Sequence, residues 1–350
     1  MTLLTPSQDL RLRAGLLVMR GFRGFAVDKD DAVSVDLRER NLGSVILFNV
    51  DGPTGSSERN IESPEQVRTL TSSLRSAAGP LPPMIAIDQE GGLVTRLKET
   101  HGFPQVPSAQ QLGKRDPDVT EAAAGALART LVDVGINLNL APVVDVDAWG
   151  DNPIIAGKGR SFSTDPEEVA AHASAFVRGH RDHGVLTCLK HFPGHGSSRE
   201  DSHSGFTDVT KTWSRDELIP FRRLMDQGLV DAIMTAHVCN AAFDDSYPAT
   251  LSPAVIGGLL RDELGFDGLV ISDDMGMGAI AKEFGFEEAV ARCLGAGVDV
   301  LALANQTIYE DNITERVADL ILNLVASGRL EERRVDEAAE RVLQLRTRLT

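Results

Sequence analysis

The 350-residue sequence predicts an α/β protein folded as a single (β/α)8 TIM-type barrel domain spanning residues 1–350. Three observations point there. Short apolar runs alternate with helical segments in one unbroken series, the pattern of a parallel sheet covered on both faces. Asp88, Asn139, Lys190, His191, His237 and Asp273 all fall at the C-terminal ends of those runs. In a barrel such ends converge on one rim, whereas an open doubly wound sheet strings them along an edge. No low-complexity linker or shift in composition marks a domain boundary.

The elements follow in order. Residues 16–22 read as a first strand and 31–40 as a helix. Residues 43–49, apolar and β-branched, are a clearer strand, and the Gly- and Pro-containing stretch 51–60 is the loop at its end. Ser63 and Pro64 open the next helix as N-cap and first helical residue. The strand 84–88 runs into Gln89-Glu90-Gly91-Gly92, and a helix near 118–135 leads to the strand 136–142. A helix over 165–182 precedes the apolar run 184–189, which Lys190 and His191 close. Helix 214–228, strand 231–237, a helix opened by Ser252-Pro253 and ending at Leu264, and strand 268–273 follow. The helix 286–295, the strand 298–303 and amphipathic helices near 309–327 and 334–349 complete the series.

Composition narrows the function. The chain is 42% hydrophobic and 25% charged, as expected of a globular protein with a large core. A net charge of -16 disfavours nucleic acid or an anionic membrane as partner. No apolar stretch approaches the ~18 residues of a membrane span. The residues before position 30 lack a signal-peptide core, and three widely spaced cysteines fit a reducing compartment. The expectation is a cytoplasmic protein.

The chemistry concentrates in residues 190–203, where Lys190, His191, His195, Asp201 and His203 occupy a glycine- and proline-broken loop after a buried strand. Asp201 and His203 are two apart, so an extended backbone puts them on one side. A carboxylate beside an imidazole orients the ring and stabilises its protonated form. Asp273 is a carboxylate at the rim, suited to act as nucleophile, base or metal ligand, while Asp274 beside it suits a helix cap. Arg96 and Arg160 offer forked donors to an oxygen-rich substrate, although Arg160, after Gly157 and Gly159, also reads as a solvated surface residue. The spacing of His191 and His195 spans Pro193 and Gly194, so it is not the helical pair of zinc hydrolases, and no metal is expected.

These residues carry a resemblance. Lys190-His191-Phe192-Pro193-Gly194-His195-Gly196 with Asp201-Ser202-His203 resembles the signature of family 3 glycoside hydrolases of the β-N-acetylglucosaminidase (β-N-acetylhexosaminidase) branch. Asp88-Gln89-Glu90-Gly91-Gly92 with Arg96, Gly159-Arg160-Ser161-Phe162, Met234-Thr235-Ala236-His237 and Ser272-Asp273-Asp274-Met275 match further blocks in the right order. The resemblance covers most of residues 40–305 and departs from the family at the insertion 51–60, which is expected to reshape the substrate rim. It implies a retaining enzyme that removes terminal N-acetylglucosamine from cell-wall muropeptides or chitooligosaccharides without a cofactor. It also implies Asp273 as nucleophile, His203 as acid/base with Asp201 its partner, and Asp88, Arg96, Arg160, Lys190 and His191 as sugar-binding residues. The alternatives are phosphorolysis at the same site, a metal-dependent hydrolase, and a non-catalytic sugar-binding barrel.

Overall fold

The computed structural model describes residues 6–150, 152–199, 207–277, 280 and 283–349, with side chains from residue 9 onward. Its strands are β1 (Val18–Gly21), β2 (Ser44–Leu47), β3 (Met84–Ile87), β4 (Leu138–Asn139), β5 (Leu186–Phe192), β6 (Thr207–Asp208), β7 (Ala232–Thr235), β8 (Val238–Cys239), β9 (Leu269–Ile271) and β10 (Leu301–Leu303). Eight of them form one parallel sheet in the order β10-β1-β2-β3-β4-β5-β7-β9. A parallel bridge between Ile271 and Val300 closes the ring, with Asp299 N and Ser272 N donating to Val270 and Val300 carbonyls at 2.9 Å. The predicted (β/α)8 barrel is the observed fold. The strands of the ring are buried along their whole length, which is why the sequence shows unbroken apolar runs rather than alternation.

The helices sit close to their expected ranges. Ser63 caps Pro64–Ala77, its hydroxyl accepting from Gln66 N at 3.2 Å, and Val67, Leu70, Thr71 and Leu74 recur at helical spacing on the buried face. Losing a buried side chain such as Leu70 would cost ~2–5 kcal/mol. The segment opened by Ser252-Pro253 is helical as expected, but Ala254–Glu263 winds as a π-helix. Helix Pro6–Leu16 was not anticipated, nor was the short Ala109–Leu112; the first packs on Ile313–Ala326 and Glu332–Arg346, with ion pairs from Arg11 to Asp319 and from Arg13 to Glu332. One large apolar cluster runs from Leu10 to Leu345, filling the barrel and the layer beneath the helices, and Val143, Ile154 and Ile155 form a small second one.

Candidate active site

A cavity of about 630 Å³ opens at the C-terminal rim. It is lined by Asp88, Arg96, Arg160, Lys190, His191 and Asp273, six of the residues singled out from the sequence, and also by Glu90, His195 and Asp274. Asp201 and His203 lie outside the described residues. Two other rim residues do not face the cavity. The Asn139 amide holds Gln89, accepting from its N–H at 3.1 Å and donating to its carbonyl at 3.0 Å. His237 joins Thr250 Oγ1 at 2.9 Å and the Asp274 carbonyl at 3.1 Å.

Lys190 and His191 do not close the strand as expected but belong to it. Between Leu189, paired with Ile233, and Phe192, paired with Thr235, two residues of β5 stand opposite the single residue Met234. Such a β-bulge breaks the strict alternation of faces, and both side chains reach the cavity. The β3 loop is folded back by Gln89, whose Oε1 accepts from Arg96 N at 2.8 Å and Leu97 N at 3.0 Å. Gly91, at φ +98°, makes the turn, and a Cβ there would lie 2.1 Å from the Pro107 carbonyl oxygen.

The polar side chains form one chain of alternating charge. Arg96 Nη2 reaches Asp88 at 3.3 Å, and Lys190 Nζ bridges Asp88 at 2.8 Å and Glu90 at 2.7 Å. Arg160 grips Glu90 with two 2.8 Å bonds and faces His191 Nε2 at 3.3 Å. His191 Nδ1 lies 2.7 Å from Asp145 Oδ2 and donates there, with Nε2 turned toward Arg160. Arg160 is therefore a largely enclosed member of the site and not a solvated residue. Burial pushes the Glu90 and Asp88 carboxyls up, but the adjacent cations outweigh it and hold both below the usual range. Burial likewise pulls Lys190 down, and Asp88 and Glu90 more than restore it. Arg96 Nε is buried and has no hydrogen-bond partner among the described residues.

Asp273 and Asp274 are adjacent but differ. Burial pushes the Asp273 carboxyl up, but His237 and His191 overcome it, so it lies below its ordinary value and is ionised at neutral pH. Its Oδ1 accepts from Asp274 N at 2.8 Å, and its Oδ2 has no hydrogen bond among the described residues. Asp274 is instead tied to backbone, accepting from Gly276 N at 3.1 Å and Ala304 N at 3.0 Å. Burial, with Asp273 adding to it, pushes its carboxyl up to about 6.

Glu90 and Asp145 were not anticipated as site residues, and His195, noted in the sequence, was given no role there. Asp145 also accepts from the backbone N–H of His191 and His195, at 3.1 and 2.8 Å. Burial, then His191, pull the His195 imidazole down to about 4, and its Nδ1 lies 2.6 Å from Ser198 Oγ. The available signal for Asp145 was a lone acid in the apolar run Val143–Val146, since an unpaired buried charge is costly.

Among the described residues none of the insertion 51–60 lines the cavity; it is anchored beside it through Asp51, and the residues just before it reach the rim. Arg23 binds Asp51 at 3.0 and 2.8 Å, Arg59 pairs with it too, and Val50 and Asn49 line the cavity. Past Leu93 a second cavity of about 710 Å³ adjoins the first, and Leu93, Thr95, Lys98 and Lys158 line both. Among the described residues no three metal-ligating side chains gather into a metal-binding group.

The chain matches the glycosyl hydrolase family 3 N terminal domain over residues 10–345. It is 38% identical over 275 residues to a beta-hexosaminidase of Tolumonas auensis, covering 77% of each chain. It is also 38% identical to the beta-hexosaminidase LpqI of Mycobacterium tuberculosis, over 77% of this chain and 70% of that one. Among solved structures, a family 3 beta-N-acetylglucosaminidase from Paenibacillus superposes with a TM-score of 0.88 at 37% identity. The match covers 99% of this chain and 63% of that one.

Proposed function

We propose that this chain, which belongs to glycosyl hydrolase family 3, is a retaining enzyme working through a covalent glycosyl–Asp273 intermediate. It is a glycoside hydrolase of the β-N-acetylhexosaminidase type. The observation that carries the mechanism is the state of Asp273. Asp88 and Glu90 are neutralised by direct cation contacts, whereas Asp273 is ionised and presents in the same cavity an oxygen unengaged among the described residues.

In this reading Asp273 attacks the anomeric carbon while His203, oriented by Asp201, protonates the departing oxygen. His203 then takes a proton from water as the water displaces Asp273, restoring the original configuration. Asp88, Arg96, Arg160, Lys190 and His191 hold the sugar hydroxyls. The acceptor is water. Arg96, Arg160 and Lys190 are committed to Asp88 and Glu90, and Arg199 lies over the Trp149 ring, 4.6 Å from its centroid. Among the described residues the cations left at the cavity are Lys98 and Lys158, both exposed, and no buried cation is left over for a phosphate dianion.

The substrate is a cell-wall fragment. Lys98 and Lys158 are exposed at the junction of the two cavities and pair with no carboxylate among the described residues, which suits an acidic aglycone.

The test is turnover of an aryl β-N-acetylglucosaminide beside the matching β-glucoside, with the first-formed anomer read by NMR. The β-N-acetylglucosaminide should be strongly preferred and the β-anomer should appear first. Asp273→Asn should lose on the order of 10⁴ in turnover yet still bind N-acetylglucosamine. An Asp273→Asn enzyme within tenfold of wild type, or a product formed with inversion, would refute the assignment.

A further inference from the structure

Glu217 is a buried acid that the reaction just described does not use. It is 2% exposed, in the short 3-10 turn Arg215–Leu218 that follows the loop carrying Asp201 and His203. Its Oε2 accepts from the backbone N–H of Gly196 at 3.1 Å. Among the described residues Oε1 and the Ser197 hydroxyl are buried without a well-aligned partner, and Ser197 lies against the Glu217 carboxyl. A Cβ at Gly194 would come within 2.7 Å of the Glu217 carboxylate, and one at Gly196 within 1.6 Å of the Val146 carbonyl. The backbone of residues 194–196 is therefore pressed between Glu217 and the segment after β4.

The stem before the loop is fastened from both sides. From one side, Asp145 accepts from His195 N at 2.8 Å and the Asn152 amide donates to the His195 carbonyl at 2.7 Å. From the other, Trp213 Nε1 donates to the Pro193 carbonyl at 3.0 Å, and Glu217 takes Gly196 N. Among the described residues no cation pairs with Glu217. Burial, with the Asp145 charge adding to it, pushes its carboxyl up to about 8, so it is largely protonated at neutral pH. An acid buried without a counter-charge is poor material for stability, and an apolar residue would fill the space at lower cost. What only a hydrogen-bonding side chain supplies here is the hold on the Gly196 amide.

We propose that Glu217 is a positioning residue for the general acid: its carboxyl fixes the 193–198 stem and so sets where the acid/base residue stands against the scissile oxygen. The inference rests on the reading of His203 as that acid. A displacement of ~1 Å at a reacting group costs on the order of 10²-fold in rate. That loss should be felt only where the leaving group needs a proton.

The experiment compares two substrates of the full chain, a disaccharide and a dinitrophenyl β-N-acetylglucosaminide, reading kcat/KM for each. Glu217→Ala should lose ~30–100-fold on the disaccharide and less than about threefold on the dinitrophenyl glycoside. Inhibition by N-acetylglucosamine should stay within about twofold, because sugar binding is untouched. Glu217→Gln, which keeps the acceptor and the volume, should recover most of the loss. Equal losses on both substrates, or a Gln variant no better than Ala, would overturn the proposal. If Glu217→Ala does not fold, Glu217→Met fills the space without the acceptor and carries the same comparison. If neither folds, a well-folded Glu217→Gln losing more than about tenfold on the disaccharide would overturn it as well. His203→Ala is read alongside. If it shows no leaving-group bias, the acid/base reading fails and takes this inference with it. If it shows the bias and neither Glu217→Ala nor Glu217→Met does, only this inference fails.

Discussion

Glu90→Gln probes the charge chain most directly. Glu90 is 8% exposed and accepts two 2.8 Å bonds from Arg160 and one 2.7 Å contact from Lys190. Glutamine keeps the shape but offers one neutral oxygen, so Arg160 loses its bidentate partner and Lys190 one of its two carboxylates. Charge-assisted bonds contribute ~1.5–3 kcal/mol each, and breaking a buried pair costs ~3–5 kcal/mol in total. With an unfolding entropy of ~2.1 cal/mol/K per residue, 350 residues give about 0.7 kcal/mol/K. The expected fall in Tm is then ~4–7 °C, read by calorimetry at neutral pH. The pH dependence adds a second test. Arg160 and Lys190 outweigh burial and hold the Glu90 pKa below its unfolded value. The stability it contributes is thus fully present above the unfolded pKa and lost as pH falls through the folded one. The gap between wild type and variant should stay constant from about pH 7 to 5 and narrow below ~4.3. A gap under about 1 °C at neutral pH, or one that widens on acidification, would refute the reasoning.

Three further outcomes are expected. Asp201→Ala should lower the upper pKa of the kcat/KM profile by removing the charge that stabilises the imidazolium, and an unchanged profile would argue against the pairing. Replacing Lys98 and Lys158 together by methionine should reduce kcat/KM ~3–10-fold for a disaccharide with a carboxylate on its aglycone, an effect that salt weakens. The neutral N-acetylglucosamine disaccharide should change less than about twofold, and equal losses would remove the acidic-aglycone reading. Millimolar phosphate at constant ionic strength should neither accelerate turnover nor yield sugar 1-phosphate; if the phosphate ester dominates, the acceptor is not water.

The barrel was legible because burial on both faces leaves each strand as an apolar run between turn signals. Boundaries were less so: β4 is only Leu138–Asn139 as a hydrogen-bonded strand, although the sequence reads as a strand over 136–142. The bulge at Lys190-His191 left no trace, since it depends on what β7 offers opposite. Helix Pro6–Leu16 was missed because Leu10, Leu12, Ala14 and Leu16 alternate like a strand, and its arginines find acids more than 300 residues away. The π winding of Ala254–Glu263 does not change which residues are apolar, so the sequence showed only a helix. At the site, charge-bearing residues next to glycines were conspicuous, whereas the partners that hold them were not. Glu90 sits inside a motif already singled out, yet its role appears only when Arg160, 70 residues on, folds against it. Glu217 looks in sequence like an ordinary first-turn acid of a helix.

The alternating chain Arg96–Asp88–Lys190–Glu90–Arg160 also bears on how this site evolves. Its members come from the loops after β3 and β4 and from β5 itself, and the inner ones each touch two opposite charges. Substitutions within it therefore cannot be independent, because the first exposes a stranded charge and a well-chosen second removes it. A mutational scan should show these positions as one epistatic block, with paired replacements tolerated where singles fail. Natural drift toward a different sugar would have to cross that valley in coordinated steps. The easier routes to new specificity run through Leu93, Lys98 and Lys158, outside the chain.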